Sequence, residues 1–267
     1  MLRLPAVSGA FYPAEPRALT SLIRKYASPE TGTKSPVRAC LVPHAGYVYS
    51  GAVSGAVFSR IALPKRIIVL GVRHFPYGEE VAMLSRGCWR TPLGDAEIDS
   101  DLARKVSHAC ELLLEDPLAH ETEHSLEVQI PFLQVLDPGF TFVPIALGTH
   151  DYEAPVAVGQ ALGKILAEEA DVLLVTTTDL NHYENQSTTV RKDNLAVQKI
   201  LELDAAGLYE ICRKEKISMC GLAPTVAMLT ALRSIGATSA SLVMHSTSAD
   251  YSHDTKKVVG YAGFLFS

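Results

Sequence analysis

The sequence predicts an α/β protein with a mostly parallel or mixed central sheet, folded as one domain over residues 1–267. Two observations point there. From residue 38 onward, short β-branched apolar runs alternate with longer amphipathic segments, which is the pattern of successive βαβ units. Four of the apolar runs also stop at or just short of a histidine (His44, His74, His150 and His182). In open α/β sheets the crevice beyond the carboxyl ends of parallel strands is where ligands bind, so residues from distant parts of the chain are expected to converge there.

The first helix is expected in EPRALTSLIRKYA, where Leu19, Leu22 and Ile23 recur at helical spacing. SPETGTKSPVR at 28–38 reads as a loop, too early in the chain to separate two domains. The expected strands are VRACLV, RIIVLG, TFVPIALG, DVLLVTTT, SASLVMHS and KKVVGYAGFLF. Between them GAVSGAVFSRI, SDLARKVSHA, EHSLEVQIPFLQVL, EAPVAVGQALGKILAEE, KDNLAVQKILELD, DAAGLYEICRK and APTVAMLTALRSI read as helices. EHSLEVQIPFLQVL places Leu126, Ile130, Leu133 and Leu136 on one stripe, with a kink expected at Pro131.

Composition excludes several classes. With 48% hydrophobic and 20% charged residues, the chain has the make-up of an ordinary globular protein rather than a disordered one. A net charge of −5 without a Lys/Arg block lacks the electrostatic footprint of a nucleic-acid binder. No apolar run reaches the ~20 residues of a membrane helix, and the N-terminal stretch has no continuous signal-peptide apolar region, so no membrane association and a cytoplasmic location are expected. Five scattered cysteines without a CxxC pair indicate neither a disulfide framework nor a structural zinc site. GxGxxG, GxxxxGK[ST] and GxSxG are absent, and nucleotide binding, serine hydrolysis and zincin proteolysis are not expected.

The chemistry-bearing residues cluster in a few short motifs. His44 sits in LVPHAGYVYSG, where Pro43 fixes the backbone and Gly46 permits an unusual turn. A single histidine after a strand is more often a hydrogen-bonded loop residue than a ligand; His150, in GTHDYEAP, has the strongest claim to that plain reading. Asp179 and His182, three residues apart in TTDLNHYE, are close enough for the carboxylate to orient the imidazole or a water, although an Asx turn explains Asp179 equally well. His124 and Glu127 fall at i and i+3, one face of the expected helix, as an acid/base or ligand pair or simply an exposed surface. Cys220, in MCGLAPTVAML, precedes a strong helix whose N-terminal amides would lower its pKa and favour a thiolate. The other four cysteines lie in apolar or amphipathic runs and read as packing residues.

These motifs also carry a resemblance. PAVSGAFYPAEP, LVPHAGYVYSG, LGVRHF, RTPLGDAEID, EHSLEVQIPFL, TDLNHY, MCGLAPTVAML and VVGYAGFLF occur in the order seen in the Memo family, over nearly the whole chain. The chain looks like the prokaryotic type called AmmeMemoRadiSam system protein B. Memo proteins are similar in fold to the catalytic subunits of class III extradiol ring-cleaving dioxygenases, so the resemblance implies a three-layer α/β/α sandwich with a non-haem Fe(II) site at one sheet edge. It implies His44, His74 and Cys220 as metal ligands, with His124, Asp179 and His182 as catalytic residues lining the same pocket. Two departures stand out: Val72 replaces the proline of the family's Gly-Pro-x-His, and Leu222 replaces the arginine of Cys-Gly-Arg-x-Pro.

Two imidazoles and a thiolate suit iron, with zinc or copper as alternatives, and three protein ligands leave positions open for water, oxygen or substrate. The expectation is therefore an Fe(II)-dependent oxidoreductase acting on a small molecule. An aromatic substrate is suggested by Tyr47, Tyr49, Phe75, Tyr77 and Tyr183 beside the motifs, although packing explains such aromatics equally. Alternatives are a zinc-dependent hydrolase, or a non-catalytic scaffold using the pocket for acidic or phosphotyrosine-like peptides, as eukaryotic Memo proteins imply. The family name further implies a functional link to AMMECR-type and radical-SAM proteins.

Overall fold

A computed structural model describes residues 1–28 and 34–267. Residues 29–33 of the expected 28–38 loop lie outside the described residues. The chain opens with β1 (Leu2–Arg3) and α1 (Pro16–Tyr26), whose first turn is capped by the Glu15 carboxylate accepting from the amides of Arg17 and Ala18. β2 (Ala39–Val42), α2 (Tyr47–Phe58) and β3 (Arg66–Val72) follow. Then come β4 (Val81–Met83), the β5–β6 hairpin (Cys88–Thr91 and Gly94–Ile98), α3 (Ser100–Ala109), β7 (Leu114–Glu115) and the single turn α4 (Leu118–Glu121). The second half holds α5 (Ile130–Leu136), β8 (Thr141–Leu147), α6 (Glu153–Glu168), β9 (Val172–Thr177), β10 (His182–Glu184), α7 (Gln186–Leu201) and α8 (Ala205–Lys214). It closes with α9 (Leu222–Ser234), β11 (Ala240–Thr247), α10 (Ala249–Ser252) and β12 (Val258–Phe266).

The sheet is mixed, and its centre is the parallel row β8-β3-β9-β2. β12 closes that row antiparallel to β2, while β6 and β4 share the far side of β8, pairing with its beginning and its end. Successive strand residues face opposite sides. Leu41, Ile68, Leu70, Val143, Ile145 and Leu174 thus join one core with residues of α3, α6, α7, α8 and α9. Their neighbours Cys40, Val42, Ile67, Val69, Phe142, Leu173 and Val175 join the other with α1, α2 and α5. Helices on both faces of one sheet make the expected three layers, and the continuously apolar strands follow from burial on both sides.

Three expected elements shift for local reasons. α2 starts at Tyr47, four residues earlier than its sequence pattern, so only Pro43–Gly46 separates it from β2 and His44 is held in a tight βα turn. α7 starts at Gln186 because Asn185 caps it, accepting from the Thr188 amide. EHSLEVQIPFLQVL is not one helix: a 3₁₀ turn at Glu127–Gln129 runs into α5, which carries Pro131 in its first turn. A proline ring excludes the carbonyl four residues earlier, so the α-helix begins at Ile130 with Pro131 in its first turn instead of passing through the proline. Among the described residues, no helix is long and apolar enough to cross a membrane.

Candidate metal centre

The parallel row brings the ends of β2, β3 and β9 together, and the residues just beyond them build a cleft of about 760 Å³. His44, from the turn after β2, is 1% exposed at its base. Its backbone amide donates to Asp179 Oδ1 (2.9 Å) and its Nδ1 meets the Thr177 hydroxyl (2.7 Å), so Nε2 faces outward, 3.1 Å from Cys220 Sγ. His74 extends from the end of β3. Its amide donates to Glu123 Oε2 (2.6 Å) and its Nδ1 lies 2.9 Å from Glu123 Oε1, which orients the ring and leaves Nε2 free.

His124 reaches the cleft from the turn before the 3₁₀ segment, not from a helix. Ser125 fixes that turn to β3: its hydroxyl accepts from the Val72 amide and donates to the Val72 carbonyl. The His124 ring stacks on His74 with centroids 4.6 Å apart and is met edge-on by Phe11 at 4.9 Å. The three imidazoles of His44, His74 and His124 offer donor atoms within 4.8 Å of one another, a geometry that can hold a metal ion. Burial first, then the neighbouring imidazoles, holds His44 well below the usual histidine range. Burial likewise lowers His124 to about 4 against the opposing pull of the Glu123 charge, so both rings are neutral and free to donate a lone pair at neutral pH.

Cys220 lies on the opposite wall, two residues before α9, accepting from the Asp179 amide at 3.3 Å. Gly221 makes this approach possible, because a Cβ there would collide with Thr178. The expected lowering of the Cys220 pKa by the helix end is not found: burial, then the Asp179 charge, pushes the thiol up. Desolvation outweighs the amide contacts at this depth.

Asp179 and His182 line the same cleft, but the carboxylate does not orient the imidazole. Asp179 instead accepts from the His44 amide, and burial raises its pKa. His182 lies five residues past the end of β9, in β10, where Nδ1 meets the Ser218 carbonyl at 2.8 Å and its amide donates to the Ser218 hydroxyl. A carbonyl can only accept, so Nδ1 carries the proton and Nε2 is the free acceptor. The aromatic walls are Phe11, Tyr49, Tyr183 and Tyr261; of the other expected aromatics, Tyr47 is buried in the core and Phe75 and Tyr77 line a separate surface. Tyr183 adopts φ +61°, a conformation that costs a bulky residue energy and here turns its side chain into the rim.

Other expected residues go elsewhere. His150 is exposed and borders a different cleft. Glu127 does not share a face with His124; it points into the interior, where it accepts from Arg3 Nη1 (2.8 Å), Tyr12 Oη (2.6 Å) and the amides of Ala6 and Val7. Glu123 had no separate signal beyond its place beside His124, yet its buried carboxylate, lowered to about 2, partners His74. No zincin motif is expected, yet the sequence contains one HExxH string, His120-Glu121-Thr122-Glu123-His124. α4 ends at Glu121, so the two histidines do not share a helix face, and the buried His120 ring packs edge-on against Trp89. Zincin geometry is absent.

Comparison with known proteins agrees with the motifs of this chain. The family described as Memo-like protein matches residues 3–265. A MEMO1 family protein of Methanopyrus kandleri is 38% identical over 281 residues, covering 100% of this chain and 99% of its own. One from Methanocaldococcus jannaschii is 39% identical over 285 residues, covering 99% and 98%. Among solved structures, an uncharacterized protein of Escherichia coli K12 shares the fold with TM-score 0.55 at 12% identity, covering 85% of this chain and 99% of that one. With full-length relatives at this identity and a family match from the first strand to the last, this chain belongs to the Memo family.

Proposed function

We propose that the cleft binds a non-haem Fe(II) ion and that the protein is an iron-dependent oxidoreductase acting on a small aromatic molecule. The observation that carries the reading is the convergence of three imidazoles and a thiol at one open cleft. Imidazole and thiol donors suit iron, zinc or copper, so the donor set fits a transition metal and disfavours calcium or magnesium. His44 and His74 hold the ion with Cys220 as third donor. A second assignment, with His124 in the place of Cys220, is favoured by the close approach of the three rings.

Bound there, the metal would supply a Lewis acid for a substrate oxygen and a redox centre for oxygen chemistry. The protein's own groups do the rest. Thr177 and Glu123 orient the two shared imidazoles through their Nδ1 atoms. His182 presents an unprotonated Nε2 to the cleft and takes a proton from a substrate hydroxyl, with its tautomer fixed by the Ser218 carbonyl. Phe11, Tyr49 and Tyr183 supply apolar walls against which a ring stacks.

The test is metal analysis of protein purified without air, with electron paramagnetic resonance after nitric oxide addition. About one iron per chain, lost in His44→Ala and His74→Ala, supports the reading. Loss in Cys220→Ser with retention in His124→Ala selects the first donor set, and the reverse selects the second. Zinc alone would replace the oxidoreductase by a hydrolase, and no metal under any reconstitution would leave a binding cleft for acidic or phosphotyrosine-like peptides.

A further inference from the structure

A second cleft of about 340 Å³ lies on the other side of Cys220, bordered by the ends of β3 and β8 and by α8. Cys220 and Ser218 line both clefts and form a common wall. Two arginines face the second one. The Arg73 side chain is nine-tenths buried, at 10% exposure, and no carboxylate is within hydrogen-bond distance; the nearest, the exposed Glu80, is 3.9 Å away. Its Nη1 reaches only the carbonyls of Tyr77 and Gly78, at 3.3 and 3.2 Å, and its buried Nε has no partner. Gly148 leaves room for this guanidinium, since a Cβ there would collide with Nε. Arg213, exposed at the end of α8, hydrogen-bonds only Tyr209 Oη, at 3.3 Å, and lies over that ring.

A guanidinium withdrawn from water with its counter-charge beyond hydrogen-bond reach is only partly compensated, and the usual remedy is an anion gripped by its planar fork. The one carboxylate lining the cleft, Asp151, is engaged by the Thr149 hydroxyl and the Ala154 amide, and among the described residues the only carboxylate opposite Arg73 is the exposed Glu80 outside the cleft lining, 3.9 Å away. Leu222, Ala223, Met219 and Leu147 provide an apolar remainder. We propose that this cleft is a binding site for the carboxylate or phosphate group of a small anionic ligand, held by Arg73 and Arg213 and separated from the imidazole cleft by Cys220 and Ser218. Neither arginine belongs to the proposed metal centre, so the site stands whether or not that centre holds iron.

Isothermal titration calorimetry with inorganic phosphate and, separately, with malonate tests this on the full chain at low ionic strength. Saturable one-to-one binding of either anion is expected, weakened about tenfold or more in Arg73→Gln and in Arg213→Gln. Arg213 is exposed, so its replacement leaves the fold intact and keeps the test decisive even if Arg73→Gln is unstable. His74→Ala should bind as the parent does. Tighter phosphate names a phosphorylated ligand, and tighter malonate a carboxylate. Absence of saturable binding, equal binding in Arg213→Gln and a folded Arg73→Gln, or loss in His74→Ala would each overturn the proposal, the last by moving the anion to the imidazole cleft.

Discussion

Two buried polar regions lie back to back in this molecule and use histidine in opposite ways. At the imidazole cleft, His44 has both ring nitrogens engaged, one with Thr177 and one facing Cys220. Behind it, a closed polar core is built on Arg3, whose Nε donates to the His120 carbonyl, whose Nη1 pairs with Glu127 and whose guanidinium covers the Trp89 ring at 4.1 Å. There the His120 ring is fully buried, with neither nitrogen hydrogen-bonded. Burial suppresses protonation in both places, lowering His120 to about 3. What separates the two rings is therefore geometry: an Nδ1 held by Thr177 and an Nε2 turned toward Cys220 and the cleft at His44, no partner on either nitrogen at His120.

The sharpest way to break this contrast is to remove an imidazole from each region. His44→Ala should reduce bound metal from about one per chain to background, whereas His120→Phe should leave metal content unchanged. Metal loss in the His120 variant would merge the two regions.

Next in size is the ion pair. Glu127→Ala leaves Arg3 buried without its counter-charge and frees the amides of Ala6 and Val7, so it should cost about 3–5 kcal/mol in denaturant unfolding. The same change should loosen the segment that carries Phe11 to His124. A cost under ~1 kcal/mol would show that the N-terminal strand is held by other means.

Glu123→Gln keeps shape but removes the charge that orients His74. Metal affinity should fall about 10- to 100-fold, the range for loss of a carboxylate behind a ligating histidine. Unchanged affinity would remove Glu123 from the centre.

The smallest effect is in acid. His120 titrates near its ordinary 6.5 when unfolded but at about 3 when folded, so the unfolded chain binds the extra proton. Its contribution to stability is complete above pH 6.5 and is lost as pH falls from there toward 3. His120→Phe should flatten the fall in melting temperature across that window; an identical pH profile would show that other groups dominate acid unfolding.

How much of this was legible before the fold is seen in particular residues. The strand ends announced themselves: VRACLV and RIIVLG break onto His44 and His74, and a parallel row puts such ends on one edge. Cys220 was legible from its place just before the helix APTVAMLTALRSI, although the pKa effect expected of that helix was not. His182 was legible as a histidine past a strand, but its hydrogen-bond partner Ser218 was not, because Ser218 sits 36 residues away in a loop with no pattern of its own. The single helix read across residues 123–136 failed where Pro131 reset the backbone, and with it failed the pairing of His124 with Glu127 on one face.

The sequence by itself determined the layers and the edge where chemistry gathers. Side-chain direction along a strand or helix repeats every two or about 3.6 residues, so burial can be read locally. Only the tertiary structure decided which polar atoms meet. Thr177 finds His44 across 133 residues, Glu123 finds His74 across 49, and Arg3 finds Glu127 across 124. Those choices belong to packing between distant segments, where a buried donor or charge must find a partner within hydrogen-bond reach, and no local periodicity records which one it finds.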